Sequence, residues 1–305
     1  MRKSLRIVQV EGRFVRLSNL EKVLYPSSGF TKRDLVRYYT QIGPTVLPHL
    51  MDRPFTFKRF PEGVNRPSFF EKHCPSHRPT WIQTGHLDEV QHCLINDLPS
   101  LIWSANLAAI ELHTTLATID DTSNPTMLVF DLDPGEGAGV RECAEIALLL
   151  RDYLSDFSTF AKSSGSKGLH VYVPLNSSTG FGTTKAFARA TAEALERSYS
   201  DRVVSKMSKS LRIGKVFIDW SQNTDFKTTT TVYSLRAGEE PTVSAPLLWK
   251  EVERAARRAS DAARLNHFSP EEVLARVDKW GDLFEPVLEI QQSLPAPLLF
   301  RKGAA

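Results

Sequence analysis

Asp131 and Asp133 stand one residue apart at the end of an apolar run, Leu128-Val129-Phe130-Asp131-Leu132-Asp133, that stops at Pro134-Gly135. Alternate side chains of a strand share a face, so both carboxylates point the same way. Two adjacent carboxylates repel and raise each other's pKa unless a cation sits between them, which predicts a divalent ion. The plainer alternative is a solvated acidic strand end, or an Asp that caps the turn. A second apolar strand, Leu211 to Trp220, carries Asp219 at its end. Such an Asp often just enters a turn, yet a third carboxylate is what a pair of cations needs to bridge substrate phosphates and protein.

Two further segments bear chemistry. Lys162-Ser163-Ser164-Gly165-Ser166-Lys167-Gly168-Leu169-His170 is a small-residue turn with a lysine, leading into a strand that bears His170. Its glycines let backbone N–H groups approach an anion, its serines donate hydrogen bonds and Lys167 adds a point charge, which together suit a phosphate; a hairpin turn would look the same. It lacks the P-loop spacing. In Tyr233-Ser234-Leu235-Arg236 the arginine reads as either a surface cation or a triphosphate ligand.

The elements that must position these groups follow from periodicity and caps. Leu17 to Leu24 reads as a short helical turn ending at Pro26, and Thr31 caps a helix through about His49. Arg53 to Arg59 is strand-like, and Pro99 to Leu112 has the spacing of a buried helix. Helices are expected over 140–153 and 183–199, strands over 160–166, 169–174 and 215–220, and an extended Thr-rich stretch over 227–236. Trp249 to Leu265 reads as one basic amphipathic helix, and Ser269-Pro270-Glu271-Glu272 opens another. With no repeat and no convincing linker, residues 1–293 are expected to form a single α/β unit. Its basic N-terminal portion, about 1–60, packs on the catalytic core, and a tail follows over 294–305.

Composition bounds the class. A chain of 305 residues with 41% hydrophobic and 24% charged residues can bury a full core. It has no apolar run of membrane-spanning length, and Met1-Arg2-Lys3-Ser4-Leu5 leads into charged sequence, so a cytoplasmic location is expected. Cys74, Cys93 and Cys143 form no regular framework, as in a reduced compartment. Charge is unevenly distributed: residues 1–60 carry a net +8 and residues 202–236 a net +5, whereas residues 119–156 carry −7. Basic surface around an acidic patch suits a metal site that handles a polyanion, although charge runs are commonly just solvated.

Together these segments resemble the polymerase domain of bacterial non-homologous end-joining ligase D, a branch of the archaeo-eukaryotic primase superfamily. The likeness runs in order through Asn19 to Pro26, Phe57 to Gly63, Ser68 to Lys72, Phe130 to Gly137, Ser163 to His170 and Gly214 to Asn223. The resemblance implies a primase-like core of mostly antiparallel sheets flanked by helices. It also implies template-directed nucleotide addition that fills short gaps and extends 3′ ends at DNA breaks, with ribonucleotides favoured. By the same likeness Asp131, Asp133 and Asp219 hold two ions, Mn²⁺ or Mg²⁺, while Lys58, His113, Ser164, Gly165, Lys167, His170, Arg212 and Arg236 bind the nucleotide. Phe69 and Phe70 stack on template bases, although a strand pair of this kind could equally be half core. Lys22 and Lys32 bind a downstream 5′-phosphate; alone they would read as solvated charges. Implied partners are gapped or broken DNA with a 5′-phosphate, nucleoside triphosphates, and Ku with an ATP-dependent ligase. A monomer associated with the bacterial nucleoid, with no membrane role, is expected.

The sequence also departs from the pattern. Val232 stands where the family has Pro, the residues after His113 lack the family's aromatic, and the stretch between Phe70 and Leu98 diverges. No ligase or nuclease module is attached, which leaves a stand-alone paralogue and an excised domain both open. His73-Cys74-x-x-His77 with His92-Cys93 offers zinc-ligand types at irregular spacing, and structural zinc is not expected. Other readings are a base-excision gap-filling polymerase, a glycosyltransferase that uses Asp-x-Asp, and a catalytically silent DNA-end-binding module.

Overall fold

The computed structural model describes residues 5–295; residues 1–4 and most of the expected tail lie outside them. Two six-stranded sheets organise the chain. The first has the order Val203–Val204, Val216–Asp219, Met127–Pro134, Leu169–Pro174, Phe160–Ser163 and Pro246–Leu247, antiparallel except for its first pair. Along its strands the side chains sort strictly by parity. Leu128, Phe130, Leu132, Leu169, Val171, Val216 and Ile218 pack under the helices Val140–Tyr153, Phe181–Ser198, Trp249–Arg257 and Ala259–Leu265. The alternate residues, Asp131, Asp133, His170, Lys162 and Asp219, therefore share the opposite face.

The second sheet runs Thr229–Thr230, Ala109–Thr114, Phe55–Arg59, Val90–Cys93 and Thr84–Leu87, with Phe69–Glu71 also paired to Phe55–Arg59. Phe55, Phe57, Ile110 and Leu112 join the core made by the helices Lys32–Leu50 and Leu98–Asn106. Its other parity carries Lys58, Phe70, Glu111, His113 and Thr230, with Lys58 directly opposite Glu111 and His113 opposite Thr230. The mixed α/β architecture of mostly antiparallel sheets flanked by helices is the one the resemblance implies. Thr31 caps the first long helix through its side chain, as expected.

Several local expectations are corrected. Leu17 to Leu24 is not a helical turn, because Asn19 takes a positive φ of 54° and Val23–Tyr25 leaves as a strand paired with Phe30–Thr31. The helix expected over 99–112 ends at Asn106; Ala108 at φ 58° reverses the chain into the strand Ala109–Thr114. Continuous burial gives no period by which to separate the two. The helix over 249–265 is broken at Arg258, whose backbone is extended. Cys74 and Cys93, expected as free thiols, form a disulfide across Cα atoms 4.8 Å apart, so they face each other rather than an ion. Among the described residues no helix is long and apolar enough to cross a membrane.

Candidate active site

The charged faces of the two sheets meet across an open cleft of about 300 Å³, lined by Lys58, Glu111, His113, Asp131, Asp133 and Arg236 among others. On the first sheet one row runs straight across four strands: Lys162 opposite His170, His170 opposite Asp131, and Asp131 opposite Asp219. His170 Nε2 lies 3.3 Å from Asp131 Oδ1, while its buried Nδ1 has no partner among the described residues. Burial, with Lys162 and Arg236 nearby, holds that imidazole neutral. Asp131 is pushed up to about 8 by burial, then by the charges of Asp133 and Asp219; burial and Asp219 raise Asp133 as well. An acidic cluster that disfavours its own ionisation is what a bound cation would relieve.

The trio is adjacent but does not yet converge. Asp219 Oδ1 accepts hydrogen bonds from the backbone N–H and hydroxyl of Ser221 at 2.9 and 2.6 Å, and Oδ2 accepts from Gln222 at 2.9 Å. Its carboxylate is thus oriented by the short helix that follows it. As the side chains stand, no group of three or more His, Cys, Asp or Glu among the described residues is arranged to hold an ion. The donor chemistry nevertheless fits a divalent cation: all three groups are carboxylates, as hard ions prefer, and two share one strand face.

Opposite the acids, two cations and a histidine, whose protonation burial disfavours, gather on one carboxylate. Lys58 Nζ donates to Glu111 at 3.2 Å, His113 Nε2 lies 3.0 Å from it, and Arg236 Nη1 pairs with it at 3.1 Å. Arg236 also donates to the Thr230 hydroxyl. The Ser164–Gly168 turn closes one side: the Ser164 hydroxyl accepts from the Ser166 and Gly168 N–H groups at 3.1 and 3.0 Å. Gly165 has a φ of 65°, and a Cβ there would meet Arg236 Cγ at 2.6 Å, so glycine is what lets the turn touch the arginine. Lys167 and Ser166 are exposed and also line the cleft. Arg212 does not line it. Its guanidinium lies 3.8 Å over the Phe217 ring and donates to the Met207 carbonyl, beside Asp133, whose charge it favours.

Phe69 and Phe70 are 45% and 57% exposed, so neither belongs to the core. They face opposite ways, Phe70 5.4 Å from Lys58 and edge-on to His113, Phe69 5.3 Å from Arg59. Lys22, Lys32 and Arg59 line a separate pocket of about 270 Å³. Lys32 is buried and donates to the Ser18 carbonyl at 2.7 Å; burial, then Lys22 and Arg59, lowers it to about 8. Lys22 donates to Pro61 O and Glu62 at 2.8 Å each.

Two site residues escaped the sequence reading. Glu111 lies in the strand Ala109–Thr114, and only its two-residue spacing from His113 signals a shared face. Lys162 is fully buried, with Nζ donating to the Ser244 hydroxyl at 2.7 Å.

The family is decided by comparison. A family model described as LigD, primase-polymerase domain, matches residues 31–284. This chain belongs to that family. It is 41% identical over 281 residues to the multifunctional non-homologous end joining protein LigD of Mycolicibacterium smegmatis, an overlap covering 90% of this chain and 36% of that protein. Against the bifunctional LigD of Bacillus subtilis it is 28% identical over 270 residues, covering 88% and 43%. The chain thus spans little more than a third of the mycobacterial relative's length. Its fold is similar to the polymerase domain from Mycobacterium tuberculosis ligase D in complex with DNA, with a TM-score of 0.83, 38% identity, and coverage of 91% and 99%. The LigD primase-polymerase family is one of DNA-directed nucleotidyltransferases of non-homologous end joining, dependent on divalent metal.

Proposed function

We propose that this chain is a template-directed nucleotidyltransferase that fills short gaps and extends 3′ ends at DNA breaks, favouring ribonucleotides. The observation that carries the reading is the cleft itself, with Asp131 and Asp133 on one wall facing Lys58, His113 and Arg236 on the other. Divalent cations, Mn²⁺ or Mg²⁺, held by Asp131, Asp133 and Asp219, would neutralise the triphosphate and acidify the primer 3′-hydroxyl for in-line attack. Lys58, Arg236 and Lys167 supply positive charge to the phosphates, and Ser164 and Gly165 shape the turn against which they lie. His170, kept neutral, orients Asp131, and His113 faces the sugar. Arg212 acts from beside Asp133 rather than on the phosphates. Phe70, exposed at the cleft mouth, offers a ring for base stacking, with Phe69 turned toward Arg59. The Lys22, Lys32 and Arg59 pocket receives a downstream 5′-phosphate.

In this reading residues 1–293 work as one monomeric unit on gapped or broken DNA within the bacterial nucleoid, supplied with nucleoside triphosphates. Ku and an ATP-dependent ligase act beside it, as end joining requires. The test is extension of a primer across a gap that bears a 5′-phosphate, with labelled ribo- and deoxyribonucleotides and either Mn²⁺ or Mg²⁺. Incorporation that follows the template base and prefers the ribonucleotide is expected. Absence of template-directed incorporation with both ions overturns the assignment.

A further inference from the structure

Two cations and a histidine on the triphosphate side of the cleft rest on one buried carboxylate. Glu111 is 1% exposed. One oxygen accepts from Lys58 Nζ at 3.2 Å and from the Ala237 backbone N–H at 3.1 Å. The other lies 3.0 Å from His113 Nε2 and 3.1 Å from Arg236 Nη1. These three groups arrive from three separate strands, Phe55–Arg59, Ala109–Thr114 and Leu235–Ala237. Lys58 and Arg236 each pair with Glu111, which joins them.

From this geometry we infer that Glu111 is a positioning residue of nucleotide addition, assembling Lys58, His113 and Arg236 into one pre-ordered receptor for the triphosphate and sugar. The inference rests on the reading of the cleft as a nucleotide site. Lysine and arginine have the most rotamer freedom to lose on binding, and cations crowded at one wall repel each other. A buried carboxylate fixed in mid-strand removes both costs before the substrate arrives, which is how preorganisation raises affinity. Glu111 sits on the sheet opposite Asp131 and Asp133, and both of its oxygens are engaged. It is therefore neither an ion ligand nor a proton acceptor in this arrangement. Although burial alone would raise its pKa, His113, Arg236 and Lys58 hold it down to about 2, which keeps the anchor charged throughout the working pH range.

The test is steady-state extension of gapped DNA by wild type and Glu111→Gln, which keeps the shape and removes the charge. Extension by the wild type establishes the nucleotide site, and its failure sinks that reading; the variant then decides the role of Glu111. A rise of about tenfold or more in nucleotide KM, with kcat changed much less, is expected for lost ground-state positioning. Binding of the variant to a 5′-phosphorylated DNA end, through the separate Lys32 pocket, is expected to stay at the wild-type level. An unchanged or lowered KM would show that the carboxylate merely damps the positive wall, and loss of end binding would reveal general damage; either result overturns the inference. A second measurement leaves Glu111 in place. Lys58→Met and Arg236→Met, combined, are expected to cost less than the product of their separate effects, because each disrupts the set that Glu111 joins. Strictly multiplicative effects would refute the shared anchor.

Discussion

Asp131 and Asp219 are direct cross-strand partners in the antiparallel pairing of Met127–Pro134 with Val216–Asp219. Like charges placed opposite one another on a sheet destabilise it. Because Asp131 titrates up at about 8, its ionised form is the unfavourable one in the folded protein. The contribution of this group to metal-free stability is thus fully present below the ordinary carboxylate pKa and is lost as pH rises toward 8. Asp131→Asn is therefore expected to raise the Tm in chelator by a few degrees at pH 8, and by less at pH 5. Mn²⁺ should raise the Tm of the wild type and not of the variant, while nucleotide addition by the variant disappears. Calorimetry with chelator or Mn²⁺ measures this, and a variant that melts below wild type in chelator contradicts it.

Lys32 gives a pH signature for the second pocket. With its ammonium lowered to about 8 by burial, Lys22 and Arg59, the charged form is lost as pH climbs through 8. Preference for a 5′-phosphate over a 5′-hydroxyl at the gap is expected to fall between pH 7 and pH 9. Lys32→Ala should remove most of that preference at pH 7 and flatten its salt dependence. Competition binding with the two gapped duplexes at each pH decides the matter.

Much of this architecture was legible because strands obey parity. Asp131 and Asp133 could be placed on one face from spacing alone, and Thr31 announced its helix by side-chain chemistry. What stayed hidden was set by tertiary context. The segment from Pro99 to Leu112 is buried almost throughout, so its switch from helix to strand at Ala108 leaves no periodic trace. Glu111 fell inside the stretch expected as a buried helix and was not singled out, since the lysine and arginine that accompany it arrive from strands far away in sequence. Arg212 was misplaced for a related reason: its Phe217 and Met207 contacts depend on how the loop folds back.

Cys74 and Cys93 close a loop of 19 residues of sequence separation, and that loop follows the Phe69–Glu71 strand directly. Joining such a loop stabilises by about 3 kcal/mol through the unfolded chain. The Cys74→Ser, Cys93→Ser pair is expected to lower stability by roughly that amount in urea unfolding. A dithiol reductant should lower the wild type and Cys143→Ser alike to that value, because Cys143 is unpaired and buried and takes no part in the cross-link, and should leave the double variant unchanged. Equal stability of wild type and double variant without reductant would remove the cross-link from the account.

Gly165 provides the sharpest separation of strain from contact. An alanine there must hold a φ of 65° and bring its Cβ to 2.6 Å from Arg236 Cγ and 2.8 Å from the Val243 carbonyl carbon. Gly29 has a similar φ of 71° with nothing within 4 Å of the added atom. Both substitutions carry the left-handed backbone penalty of about 1–2 kcal/mol. Only Gly165→Ala also displaces Arg236 from Glu111. Gly29→Ala is accordingly expected to lower the Tm and leave the nucleotide KM unchanged, whereas Gly165→Ala should lower the Tm further and raise KM several-fold. Matching KM values for the two variants would mean that close packing of the turn against Arg236 has no part in nucleotide binding.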